Sequence, residues 1–132
     1  MLDSNYGFTR TFPGTSFEKA RERITSALQK EGFGILTEID VKATLKKKID
    51  VDFRPYVILG ACNPSIAHKA LLAEPAIGLL LPCNVVVAED DDGTTVVSII
   101  KPEKMFQVVD NAGMQPLVDE VTKKLTSALE SA

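Results

Sequence analysis

The sequence predicts an α+β fold, built as a two-layer sandwich around one mixed sheet of about five strands. Two main helices are expected to cover one face of that sheet, accompanied by short helices. Strand-like and helix-like segments alternate only irregularly, a hairpin signal joins two late strands, and a long amphipathic helix ends the sequence. Regular strand–helix crossovers are too few for a doubly wound fold.

The first two elements are a strand and an amphipathic helix. Residues 6–12 alternate and are rich in aromatic and β-branched side chains, which predicts a strand that Pro13-Gly14 ends. Thr15 or Ser16 can cap the helix that follows, and Gly32 is its expected C-terminal stop. The apolar positions between them recur at helical spacing: Phe17, Ala20, Ile24, Ala27 and Leu28.

The central segment continues with strand, short helix, strand and helix. Residues 33–39 read as a strand, after which Asp40 can cap a short helix. Residues 56–61 are almost wholly apolar, which suits a central strand covered on both faces. Asn63-Pro64 combines a capping residue with a proline suited to the first turn, so residues 65–72 are expected to be helical.

The next segment contains two further strands. Residues 77–81 and 85–88 form one long apolar stretch, interrupted by Pro82-Cys83-Asn84. Asp91-Asp92-Gly93 predicts a hairpin turn, and residues 94–100 form the returning strand.

A short helix or turn at residues 102–109 precedes the last element, a helix over residues 116–129. Its apolar stripe is expected to pack on the sheet through Leu117, Val121, Leu125 and Leu129. With 132 residues and neither repeats nor a low-complexity linker, residues 1–132 are expected to form a single domain.

Composition excludes several classes of function. The net charge is −3 and there is no broad basic field, so nucleic acid is not an expected partner. No apolar run approaches the roughly 20 residues of a membrane span, so no membrane association is expected. The first residues do not resemble a signal peptide. Two cysteines without an export signal therefore predict a cytoplasmic protein with free thiols.

The apolar strands also predict an assembly. Around Ile58 and Leu80 the sequence is apolar in both directions, so the second face of the sheet needs a cover. Small helices or a second subunit could supply it. Because a symmetric pair is the commonest closed assembly, a homodimer is expected.

Two Cys-Asn pairs mark the candidate site. Cys62-Asn63 closes one apolar strand and Cys83-Asn84 interrupts the next apolar stretch, each within two residues of a proline. Asparagine side chains can bond the backbone at such bends and hold a thiol in place. Cys62, Asn63, Cys83 and Asn84 are therefore the predicted ligand-binding residues, close together at one end of the sheet.

One apolar stretch runs from Ile58 to Pro64 and another runs from Gly78 to Val85, with Glu74-Pro75 between them. Together they resemble the core motif of the domain of unknown function 302 family. The segments 6–8 and 39–48 resemble it as well, so the resemblance covers nearly the whole chain. It implies a small bacterial or archaeal α+β domain. It implies no established reaction.

Three functions remain open, besides the simpler interpretation that both cysteines are small buried residues at tight bends. The first is a module that binds a small molecule or a thiol-linked ligand at the two bends. The second is a thiol redox enzyme or carrier using Cys62, whose thiol pKa a helix N-terminus would lower. The third is a soft-metal protein with zinc or copper on Cys62, His68 and Cys83, although no typical ligand spacing supports it. Whether the protein is an enzyme is left undecided.

Overall fold

The computed structural model describes residues 2–132, and five strands in it form one sheet. The strands are β1 (Gly7–Phe12), β2 (Gly34–Asp40), β3 (Tyr56–Cys62), β4 (Cys83–Glu89) and β5 (Thr95–Ile100). Their order across the sheet is β1-β5-β4-β3-β2, and every neighbouring pair is antiparallel. The predicted α+β class is confirmed, but the prediction of a mixed sheet is wrong. β1 and β2 run in the same direction and occupy opposite edges, so no parallel pair forms.

The helices are α1 (Phe17–Lys30), α2 (Val41–Ile49), α3 (Pro64–Ala73), α4 (Pro102–Met105) and α5 (Gln115–Ser131). Short 3-10 turns lie at Pro75–Leu80, Phe106–Val108 and Ala112–Met114. The two long helices, α1 and α5, pack side by side on one face of the sheet, as the sequence predicts. Among residues 2–132, no helix is both long enough and apolar enough to cross a lipid bilayer.

The main core lies between these two helices and the sheet. The buried stripe of α1 includes Ile24 and Leu28, and that of α5 includes Val121 and Leu125. On the strands, alternate residues point into this layer, as the period of two in a β-strand requires. They include Val57, Leu59 and Ala61 of β3, Cys83, Val85 and Val87 of β4, and Val97 and Ile99 of β5.

The stretch around Pro82 differs from the prediction. Residues 77–81 do not extend a strand, because Pro75–Leu80 forms a 3-10 turn that buries only Ile77. The Leu81–Pro82 peptide is cis, and β4 begins directly after it at Cys83. Cys83-Asn84 is thus the start of a strand rather than an interruption in one. A short apolar run cannot by itself distinguish a strand from a helical turn.

The second face of the sheet is only partly covered. Ile58, Val86 and Ile100 are half-buried there, and Asn84 is exposed between them. Polar side chains interrupt the apolar surface, and the Thr9 and Ser98 hydroxyls hydrogen-bond across β1 and β5 at 2.9 Å. This face therefore needs less cover than the sequence suggests.

Candidate functional site

A small pocket lies where the ends of β3 and β4 meet α3 and α5. Ala61 and Cys83 stand opposite each other in the β3–β4 register and line the pocket on the sheet side. Ile66 and Ala70 of α3 are buried beside it. Its volume is about 40 Å³, and it is partly open to solvent.

The rest of the wall comes from distant parts of the sequence. Leu117 and Val121 of α5 contribute to it, together with Phe106 and Met114 from the segment before α5. Phe33, which is 2% exposed, lines the pocket just before β2. Apart from Asn63 and the two thiols, the pocket is lined by apolar side chains, so we call it the apolar pocket.

Both predicted cysteines line the apolar pocket, and both are free thiols. Cys83 is buried, and Cys62 is half-exposed at the last position of β3. The antiparallel register pairs Ala61, not Cys62, with Cys83. The sequence prediction that the two bends meet at one end of the sheet therefore agrees with the observed arrangement.

Asn63 holds the bend between β3 and α3. Its Oδ1 accepts a hydrogen bond from the backbone N–H of Ile66 at 3.3 Å, which caps the helix. Its Nδ2 donates to the carbonyl oxygen of Glu31 at 3.4 Å. Because both ends of the amide are bonded within the protein, Asn63 has a structural task at the pocket edge.

Two glycines make this arrangement possible. Gly32 has a φ of +85°, and a Cβ there would lie 2.8 Å from Asn63 Nδ2. Gly60 lies beneath Thr37 and Pro82, and a Cβ there would lie 2.7 Å from Pro82 Cγ. A side chain at either position would displace a neighbour, so both glycines are required for the bends to pack closely.

The thiols are less acidic than a helix N-terminus would suggest. Burial raises the pKa of the Cys62 thiol above its ordinary value. Burial, together with repulsion from Cys62, raises the pKa of Cys83 to about 12. Few helix donors remain to oppose burial, because Pro64 has no N–H and the N–H of Ile66 is bonded to Asn63. Neither thiol therefore has the lowered pKa that a helix N-terminus would give to Cys62.

His68 does not join the cysteines. It is exposed on α3, two residues from the buried Ile66, so it lies on the opposite side of the helix from the pocket. Among residues 2–132, no group of three or more His, Cys, Asp or Glu side chains could hold a metal ion. The structure thus does not assemble the zinc or copper site predicted from Cys62, His68 and Cys83.

Asn84 is separated from the other three predicted ligand-binding residues. It is exposed on the second face of the sheet, where it lines a different cavity with Tyr6 and Tyr56. The reason is the alternation of β4: Cys83 points into the core, so the next residue points away from it. Cys62, Asn63 and Cys83 share the apolar pocket, and Asn84 does not.

Sequence reasoning missed Phe33, Phe106, Met114 and the helix residues of the wall. These are plain apolar residues, and no motif distinguishes them from other core positions. Their convergence depends on contacts between segments far apart in the sequence. The apolar stripe of α5 was the one available signal, and it included Leu117 and Val121 without indicating a cavity.

The fold and the site define a small α+β sandwich with an apolar pocket at the end of its sheet. The model for the family "Domain of unknown function DUF302" matches residues 8–132, so the chain belongs to this family. The crystal structure of the uncharacterized conserved protein DUF302 from Bacillus stearothermophilus is similar, with a TM-score of 0.88 and 29% sequence identity. The similarity covers 97% of this chain and 98% of that chain. No curated protein matches.

Proposed function

We propose that the protein is a binding module that takes a small apolar ligand in the apolar pocket. One observation carries the proposal: a partly open cavity of about 40 Å³ whose walls are apolar except for two thiols and an asparagine. Ligand sites are typically concave and mostly apolar, with a few polar groups that fix orientation. Here Cys62 and Asn63 are the partly exposed polar groups of the lining.

The chemistry of the walls supports an apolar or soft ligand. Every buried side-chain nitrogen and oxygen among residues 2–132 already has a hydrogen-bond partner. The asparagine at the pocket is bonded to the backbone at both ends of its amide. The wall therefore offers little to a polar ligand, while the thiol sulfurs are polarizable and suit alkyl groups.

The volume limits the size of the group that enters. A cavity needs about 10–15 Å³ to hold one water, so about 40 Å³ corresponds to roughly three waters. A ligand inserting only its last few carbons fits this space. A larger apolar group would require the walls to move.

The other two functions considered from the sequence have less support. A thiol redox role needs an accessible thiolate near neutral pH, and the pKa of both thiols is raised instead. A soft-metal role needs a third ligand, and His68 is exposed away from the pocket. The binding role requires neither a thiolate nor a third ligand.

The test is an NMR titration of the protein with n-alkanols from ethanol to heptanol, recording backbone amide shifts. Each added buried methylene is expected to strengthen binding about fourfold until the pocket is full, after which the gain stops. The largest shifts are expected at Ala61, Cys62 and Cys83. An affinity that rises evenly through heptanol, with shifts spread over the surface, would overturn the proposal.

A matched pair of variants on α3 localises the binding. Ala67 lines the pocket, while Ala73 is exposed at the end of the same helix. Ala67→Leu is expected to fill the opening and abolish binding, and Ala73→Leu is expected to leave it unchanged. Equal binding by both variants would show that the alkanols bind elsewhere.

A further inference from the structure

A second, larger cavity adjoins the apolar pocket. Its volume is about 440 Å³, and its lining comes from residues between Glu103 and Val118. Phe106 and Met114 line both cavities. Only these two side chains are common to both walls, so they form the partition between an apolar space and a wider one.

The lining of the second cavity is polar. Gln107, Asn111 and Gln115 contribute amide groups, and Glu103, Lys104 and Asp110 contribute charges. Two carboxylates against one ammonium leave a net charge of −1 on this lining. Within residues 2–132, neither Glu103 nor Asp110 forms an ion pair with a side chain. The cavity therefore offers two carboxylates that can accept hydrogen bonds from a cation.

The partition belongs to a segment with few regular elements. Phe106 and Met114 lie in two separate 3-10 turns between α4 and α5. Asn111 ties this segment to α3, because its Nδ2 donates at 3.1 Å to the Ala73 carbonyl and at 3.1 Å to Glu74 Oε1. Methionine is unbranched and adapts its shape readily, so Met114 can yield to a ligand chain while the tether holds the backbone.

We infer that the ligand is a short amphiphile, with an alkyl tail in the apolar pocket and a cationic amine head in the second cavity. This inference rests on the proposed function and specifies its ligand class. Because Phe106 and Met114 line both spaces, a ligand that displaces the adaptable Met114 side chain would reach from one space into the other. The net charge of the second lining favours an ammonium over a carboxylate, because an anionic head would meet one ammonium and two like charges.

Three probes with the same pentyl tail separate the tail from the head: pentylamine, pentanol and hexanoate, compared near neutral pH by NMR titration. Pentylamine is expected to bind about two- to fivefold more tightly than pentanol, the range of a partly exposed ion pair. Hexanoate is expected to bind most weakly. The preference for the amine should shrink as salt is raised, because screening acts on the head alone.

Two double variants carry the same change in charge. Glu103→Gln with Asp110→Asn is expected to abolish the preference for pentylamine over pentanol. Glu18→Gln with Glu22→Gln, on the exposed face of α1 and outside both cavities, is expected to retain it. All four side chains are exposed, so neither double variant should disturb folding.

The outcomes separate the two proposals. The amphiphile inference would be overturned by equal affinities for the three probes or by tightest binding of hexanoate. It would also be overturned if the preference for pentylamine survives Glu103→Gln with Asp110→Asn. Each of these results would leave the apolar site standing. Failure of all three probes to bind, or binding that Ala67→Leu does not reduce, would overturn the proposed function and this inference with it.

Discussion

Asn63 joins the end of α1 to the start of α3. Its amide donates to the Glu31 carbonyl at 3.4 Å and caps α3 by accepting from the Ile66 N–H at 3.3 Å. Glu31 follows α1 directly, so one side chain fixes the separation of two helices beside the apolar pocket. The asparagine of the first Cys-Asn pair therefore acts on the geometry of the site.

Removing this amide should destabilise the protein. Asn63→Ala loses the cap and is expected to lower the free energy of unfolding by about 0.5–2 kcal/mol. Asn63→Asp keeps a capping oxygen and loses only the bond to Glu31, so its loss should be smaller. Chemical denaturation of both variants measures the difference. Equal losses would mean that the cap contributes nothing.

The buried thiol of Cys83 should make stability depend on pH. Its pKa rises from 9.0 to about 12 on folding, so the folded state holds the proton more tightly than the unfolded state. The resulting stability is complete below about pH 9 and is lost as pH rises towards 12, by up to about 4 kcal/mol. Between these pH values the free energy of unfolding, measured by chemical denaturation, should fall more steeply for the wild type than for Cys83→Ala. Parallel curves would show that Cys83 ionises normally.

Cys62 should react faster than Cys83, and both should react more slowly than a cysteine in a peptide. Cys62 is half-exposed and Cys83 is 6% exposed, and burial raises the pKa of both. The order of reactivity is measured by the alkylation rates of the Cys62→Ser and Cys83→Ser variants, because each variant retains one thiol. A Cys62 rate above that of the peptide would restore the redox hypothesis.

The stripe of α5 should carry much of the core stability. Leu125 is 0% exposed, so Leu125→Ala is expected to cost about 2–5 kcal/mol. Leu117 is half-buried at the pocket wall, so Leu117→Ala should cost less. Leu72→Ala provides the control, because Leu72 is 71% exposed on α3. Its free energy of unfolding should fall by less than about half a kcal/mol. Losses that small at both Leu117 and Leu125 would show that the stripe does not support the core.

The homodimer stays a prediction. Exposed apolar side chains such as Ile39, Ile49 and Phe53 lie along the edge strand β2, α2 and the loop that follows. An edge strand can pair with its own copy about a two-fold axis. Light scattering is expected to give twice the chain mass of 14.3 kDa. A monomer mass over a wide concentration range would rule out the dimer.

Local signals predicted most of the fold. The Ser16 cap, the α1 and α5 stripes and the hairpin at Asp91-Asp92-Gly93 each depend on neighbours in sequence. The pairing of β1 with β5 could not be predicted in this way, because α1 carries the chain across three strands to the opposite edge. The wholly antiparallel sheet follows from that crossing.

The site was half predictable for the same reason. Cys62 and Cys83, which line the apolar pocket, are predictable because prolines mark the bends beside them. Asn84 lies apart from them because β4 begins at Cys83, so that the alternation of the strand turns Asn84 to the other face. Phe106 and Met114 come from a segment that Asn111 tethers to the Ala73 carbonyl of α3, a contact across 38 residues.

Native mass spectrometry of protein purified without chelator or reductant tests the ligand-binding role most directly. The wild type and Ala73→Leu are expected to carry a non-covalent small organic molecule, and Ala67→Leu is expected to appear as the bare polypeptide. The bound mass should be present near neutral pH and should not match zinc or copper. A bare polypeptide mass for all three proteins, or the same adduct on all three, would contradict ligand binding in the apolar pocket.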